Sequence, residues 1–170
     1  MSNSYVCNIC GEEHSGLALS FGPDAPDAWL KVPDVDHNTE DTELGTDQCV
    51  IHGDRFFIRG RIEYRVDGGS SDEFAWLVWA EVSSESFFSM TELWDKEGRE
   101  QLAPLYDGRL ANELAFYDQA TIGLSLKIHT REVGQRPFFE LVTPHTIRNE
   151  QANGITTARL REINNLLLHR

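Results

Sequence analysis

The chain has 170 residues, 40% of them hydrophobic and 10% aromatic, and its 28 acidic side chains against 15 Lys and Arg give a formal net charge of −13. That size suits a single core, the aromatic content excludes a disordered chain, and the negative field argues against a nucleic-acid partner because it repels phosphate backbones. No run approaches the roughly 20 apolar residues that cross a bilayer, no basic leader opens the chain, and three cysteines are too few for a disulfide framework, so the expectation is a cytoplasmic protein with no membrane contact.

Residues 5–16, Tyr-Val-Cys-Asn-Ile-Cys-Gly-Glu-Glu-His-Ser-Gly, read as a knuckle of turns in which Gly11 and Gly16 supply the backbone freedom. Residues 17–21 form a short strand, after which Pro23, Pro26 and Pro33 break regular structure and leave Trp29 and Leu30 to anchor a long loop. The acidic segment 34–47 follows. Asp34, Asp36 and Asn38 imitate the start of a calcium loop, but Thr39 and Gly45 stand where that loop requires Gly and Glu.

From Phe56 to Val66 the chain alternates: Phe56, Ile58, Ile62, Tyr64 and Val66 share one face, and Arg59, Arg61, Glu63 and Arg65 the other. This predicts a half-buried strand, with Gly60 marking a bulge or the close approach of another element. A turn at residues 67–70 leads to a second strand over 74–82, central because Trp76 and Val78 alternate with Leu77 and Trp79. Ser84 or Ser86 caps a helix reaching Lys96, with Phe87, Met90, Leu93 and Trp94 at helical spacing and Gly98 as its stop.

Residues 110–117 predict a short helix. Residues 122–128 predict a strand with Ile122, Leu124, Leu126 and Ile128 inward, paired with residues 138–142 across Val133-Gly134-Gln135. The last helix, within 155–169, is capped by Thr156 or Thr157, buries Leu160, Ile163 and Leu167, and ends with His169 and Arg170 near the negative end of its dipole. These elements predict one α+β domain over 1–170, divided into a Cys/His region (5–52), a mostly antiparallel sheet with an inserted helix (54–142) and helices packed on one face.

Cys7 and Cys10 stand at the spacing that lets two thiolates reach one tetrahedral zinc ion, His14 is placed as a third ligand, and Cys49 is the remaining thiol, with His52 close by. A Cys₃His set is therefore available. Redox chemistry is the alternative use of Cys-x-x-Cys, but it wants a helix N-terminus and a lowered thiol pKa, and here Gly11 and two glutamates follow. Free thiols with no special role are the plain alternative.

The run from Cys7 to Gly16, the stretch Leu19 to Pro26, the strand entry Cys49 to Gly60, and the block His129 to Pro137 resemble a bacterial family, domain of unknown function 2199. The resemblance implies that Cys7, Cys10, His14 and Cys49 form the ligand set and favours His14 over His52, where the family pattern more often has Asp. It implies no activity.

Arg59, Arg61 and Arg65 on one strand and Lys127 and His129 on another could assemble a basic patch, or simply pair across strands with Glu63, Glu81 and Glu140. No nucleophile elbow, P-loop or dinucleotide motif occurs. The expectation is therefore a zinc-stabilised acidic domain, a binding protein rather than an enzyme, that binds a basic protein in the manner of an immunity factor. The alternative is a small hydrolase or transferase with a polar site around His129.

Overall fold

Two long strands carry the fold, and their residue pattern explains why. The computed structural model describes residues 4–7, 9–68 and 72–169. In chain order, β1 (Ser4–Val6) and β2 (Glu13–Ser15) form a hairpin, followed by β3 (Ser20–Phe21), β4 (Glu43–Leu44) and β5 (Gln48–Ile51). Then come β6 (Arg55–Asp67), β7 (Glu73–Val82), helices α1 (Ser84–Glu92) and α2 (Arg99–Leu102), and strands β8 (Tyr106–Leu110), β9 (Ser125–His129) and β10 (Phe138–Leu141). Helix α3 (Thr146–Asn153), β11 (Ile155–Thr156) and helix α4 (Thr157–Leu168) complete the chain.

β6 and β7 pair antiparallel from Phe56↔Val82 to Arg65↔Glu73. The turn expected between them falls partly on residues 69 and 70, outside the described residues. β7 also pairs with β8, β8 with β9, and β9 with β10, while β10 returns to β6 in parallel at Phe138↔Arg61. The mostly antiparallel sheet thus closes on itself. Gly60 explains the closure: a Cβ there would run into the Phe139 ring of β10, so only glycine lets this strand approach.

The main core lies inside this circuit and beneath the helices: Ile62, Tyr64, Trp76 and Val78 meet Phe139 of β10, Ile147 of α3, and Leu160 and Ile163 of α4. Tyr64 and Tyr117 hydroxyls meet at 2.8 Å, and the Trp76 indole donates to Tyr117 at 3.1 Å, so these three buried polar groups are paired. The result is one α+β domain with a C-terminal helix.

Several expectations need correction. The first half of β6 is buried on both faces, because Phe57, Trp79, Cys49, Ile51, Val32 and Ala111 form a second, smaller core behind it. Arg59 is consequently only 8% exposed rather than on a solvent face. Leu30 anchors nothing, being 81% exposed, whereas Trp29 stacks on His37.

The helix expected over residues 110–117 does not form. There Asn112 accepts from the Trp79 N–H and donates to the Ala25 carbonyl, and Glu113 accepts from the N–H groups of Thr121 and Ile122. Side chains bonded to backbone in this way hold a loop against a helix. The strand expected from Ile122 starts at Ser125, and Ile122 is 51% exposed. α1 is capped by Ser83, whose hydroxyl accepts from the Ser86 N–H, and ends at Glu92 rather than Lys96. β5, β8 and α3 lie in segments where no element was expected.

Candidate metal centre

The β1–β2 hairpin places its residues by register: Tyr5 sits opposite His14, and Val6 opposite Glu13. Beyond β1 the backbone turns sharply, with the Cys7 N–H donating to the Glu12 carbonyl at 2.9 Å and the Gly11 N–H to the Cys7 carbonyl at 2.9 Å. Gly11 has φ +72°, which a side chain would oppose. This turn brings Cys10 back to within 3.3 Å of the His14 Nε2.

The other contributor comes from the far end of the chain. α4 buries Leu160, Ile163 and Asn164, and the Asn164 side chain brackets the backbone of Ala18, accepting from its N–H at 2.8 Å and donating to its carbonyl at 3.2 Å. Docked this way, the helix delivers His169 to the knuckle, where its Nε2 lies 2.9 Å from the Cys7 Sγ and its ring 5.5 Å from that of His14. One ligand atom from each of Cys7, Cys10, His14 and His169 lies within 4.8 Å of every other. Tetrahedral zinc with bonds of 2.0–2.3 Å separates its ligand atoms by about 3.3–3.8 Å, so the set fits one small ion with slight adjustment.

The surroundings of Cys7 perturb its thiol. Burial alone would raise its pKa, but hydrogen bonds from the backbone of Cys10 and Ile9 and from the Cys10 thiol outweigh burial and hold it below the ordinary thiol value. The Tyr5 hydroxyl is buried with no hydrogen-bond partner among the described residues, and its pKa is raised by burial and by the neighbouring Cys7 and Cys10.

Of the four expected ligands, Cys7, Cys10 and His14 come together, and Cys49 does not join them. Cys49 lies on β5 opposite Leu44 and Phe57, 1% exposed inside the second core, where burial pushes its thiol up to about 12. A neutral thiol packed among apolar side chains is a small core residue, not a ligand. His52 is a turn residue: it takes φ +51° between β5 and β6, and its N–H donates to the Thr42 hydroxyl.

His169 was read only as a dipole partner at the helix end. Its one legible cue was a histidine closing a docking helix. Arg170, read beside it, lies outside the described residues.

The basic positions on the sheet are occupied by neighbours. His129 meets Glu140 at 2.7 Å, Lys127 pairs with Asp107, Arg55 with Glu81 at 2.8 Å, and Arg136 with Asp47 at 2.7 Å. Among the described residues no helix is long and apolar enough to cross a membrane.

Residues 6–155 match the family described as an uncharacterized protein conserved in bacteria (DUF2199). Cys7, Cys10 and His14 lie within that span and His169 beyond it. No curated protein and no solved structure matches the chain.

Proposed function

The chain belongs to this uncharacterised bacterial family, and from that premise we propose a non-catalytic, cytoplasmic binding domain in which structural zinc joins the two chain ends and an acidic surface receives a basic protein. The convergence of Cys7, Cys10, His14 and His169 within 4.8 Å carries the zinc half of this reading. Two thiolates and two imidazoles are the donor set of closed tetrahedral zinc sites, whose four protein ligands leave no position for a reactive water. Zinc, when bound, supplies cross-linking and charge balance. The chain's own residues do the rest: the turn at Gly11 presents Cys7 and Cys10, the Tyr5–His14 pair aligns the imidazole, and Asn164 fixes the helix that carries His169.

The partner half rests on charge. A net charge of −13 accelerates encounter with a basic surface, and Asp34, Glu40, Asp41 and Glu43 stand exposed in one segment together with Val35, 86% exposed. Compact acidic chains of this kind suit the neutralisation of a basic toxin, the immunity-like role.

Elemental analysis of protein purified in reductant without chelator is expected to give one zinc per chain. Capture from the cytoplasm of its own bacterium is expected to recover a basic protein that high salt releases. A chain without metal defeats the first half, and recovery of nothing basic defeats the second.

A further inference from the structure

A cleft of about 820 Å³ opens where β5 and β10 part company along one edge of β6. At this point the Arg59 N–H donates to the Asp47 carbonyl, before β5, and the Arg61 N–H to the Pro137 carbonyl, before β10. The strands separate between them, and α1 and the loop after β9 form the remaining walls.

Although the chain is strongly acidic, five of its 15 Lys and Arg line this one cleft: Arg59, Arg61, Arg99, Arg131 and Arg136. Carboxylates neutralise only part of that charge. Arg131 grips Glu63 with both nitrogens, at 2.5 and 3.0 Å, and Arg61 reaches the same carboxylate at 3.4 Å, so two guanidinium groups share one acid. Arg136 pairs with Asp47, and Arg59 reaches the fully exposed Asp24 at 3.6 Å.

Arg99, 7% exposed, has no carboxylate partner among the described residues: it donates to the main-chain carbonyls of Trp94, Arg131, Glu132 and Gln135 at 2.7–3.0 Å. It thereby fixes the loop that presents Arg131 and Arg136, and its buried charge meets only main-chain carbonyls among the described residues. Glu73 and Asp95 also border the cleft, but both are exposed to water, which screens them.

Thr130 and Gln135 add polar groups to the wall, Ile58, Met90, Leu93, Trp94 and Ile128 supply its apolar part, and the Tyr106 hydroxyl is tied to Ser89 at 2.7 Å. An apolar patch beside converging donors can hold a small molecule, and forked guanidinium groups match oxyanions. We propose that this cleft binds a small molecule bearing an oxyanion, phosphate or carboxylate, on a flat apolar body, with Arg131 and Arg136 facing the anion and Trp94 the flat body. The carboxylate-free guanidinium of Arg99 and the sharing of the one Glu63 carboxylate by Arg61 and Arg131 provide the attraction.

Titration of the full-length protein with phenyl phosphate, benzoate and phenol, followed through the Trp94 indole and arginine Nε–H resonances, tests this. At least one of the two anions is expected to bind saturably at millimolar concentration or tighter, and phenol at least tenfold more weakly. The tighter anion identifies the headgroup. Arg131→Gln and Arg136→Gln are each expected to weaken that anion at least tenfold, and Lys127→Gln, whose ion pair lies away from the cleft, by less than twofold. Should Arg131→Gln fail to fold, Arg136→Gln and the unmodified protein decide. Absence of saturable binding by both anions, or binding unaffected by Arg136→Gln, overturns the proposal.

Discussion

The closed sheet and the terminal clip are held in opposite ways. In the sheet, β6 and β7 pair over ten positions and bury large side chains on both sides, so its stability is spread over many apolar contacts. The clip joins a hairpin of two three-residue strands to the last turn of a helix through four ligand atoms and one asparagine. A short hairpin buries too little to stand alone. With no ion in the clip, the sheet is therefore expected to keep its packing and the ends to separate.

Substitutions can break this contrast. The largest effect is expected from Gly60→Val, which forces β10 away from β6. It should cost about 3 kcal/mol or more, lower the melting temperature by roughly 10 °C, and expose the whole core to hydrogen exchange. Asn164→Ala strands the N–H and carbonyl of Ala18 and should cost about 1–3 kcal/mol. Its signature is faster exchange confined to residues 4–18 and the end of α4, with β6 and β7 unchanged. Equal exposure of β6 would contradict the division into two regions.

Glu63→Gln is expected to act through pH. Burial raises the Glu63 pKa, but hydrogen bonding and charge from Arg131, and then from Arg61, outweigh it and hold the carboxyl below its ordinary 4.5. Such a group stabilises the fold fully above that ordinary value and ceases to as pH falls through the depressed one. The variant should lose stability at pH 7 and show a flatter decline than the parent below about pH 4.5, read by chemical denaturation across pH. Smallest of all is His129→Gln, since the exposed pair with Glu140 contributes at most about 1 kcal/mol. A large loss of stability there would return the His129 face to attention.

How much of this was legible in the sequence divides along the same line. The inward row of β6, with Ile58, Ile62 and Tyr64 in step, is written as strict alternation, and Gly60 was readable as a point of close approach. Arg59 was misread because alternation reports one buried face and is blind to a second core covering the other. The loop around Asn112 was misread as helix because its apolar residues have helical spacing while its side-chain bonds reach residues far along the chain. At the clip, local spacing revealed Cys7, Cys10 and His14. Chemical preference for a thiol pointed to Cys49, but nothing local records that residues 7 and 169 meet, because that contact is made by the docking of α4.

Cobalt(II) substitution in the parent, Cys49→Ala and His169→Ala proteins tests the clip most directly, since the visible spectrum reports tetrahedral geometry and the near-ultraviolet charge transfer counts thiolates. The account predicts the same tetrahedral, two-thiolate spectrum for the parent and Cys49→Ala, and its loss or marked weakening in His169→Ala. A three-thiolate signal that disappears in Cys49→Ala and survives in His169→Ala would contradict it.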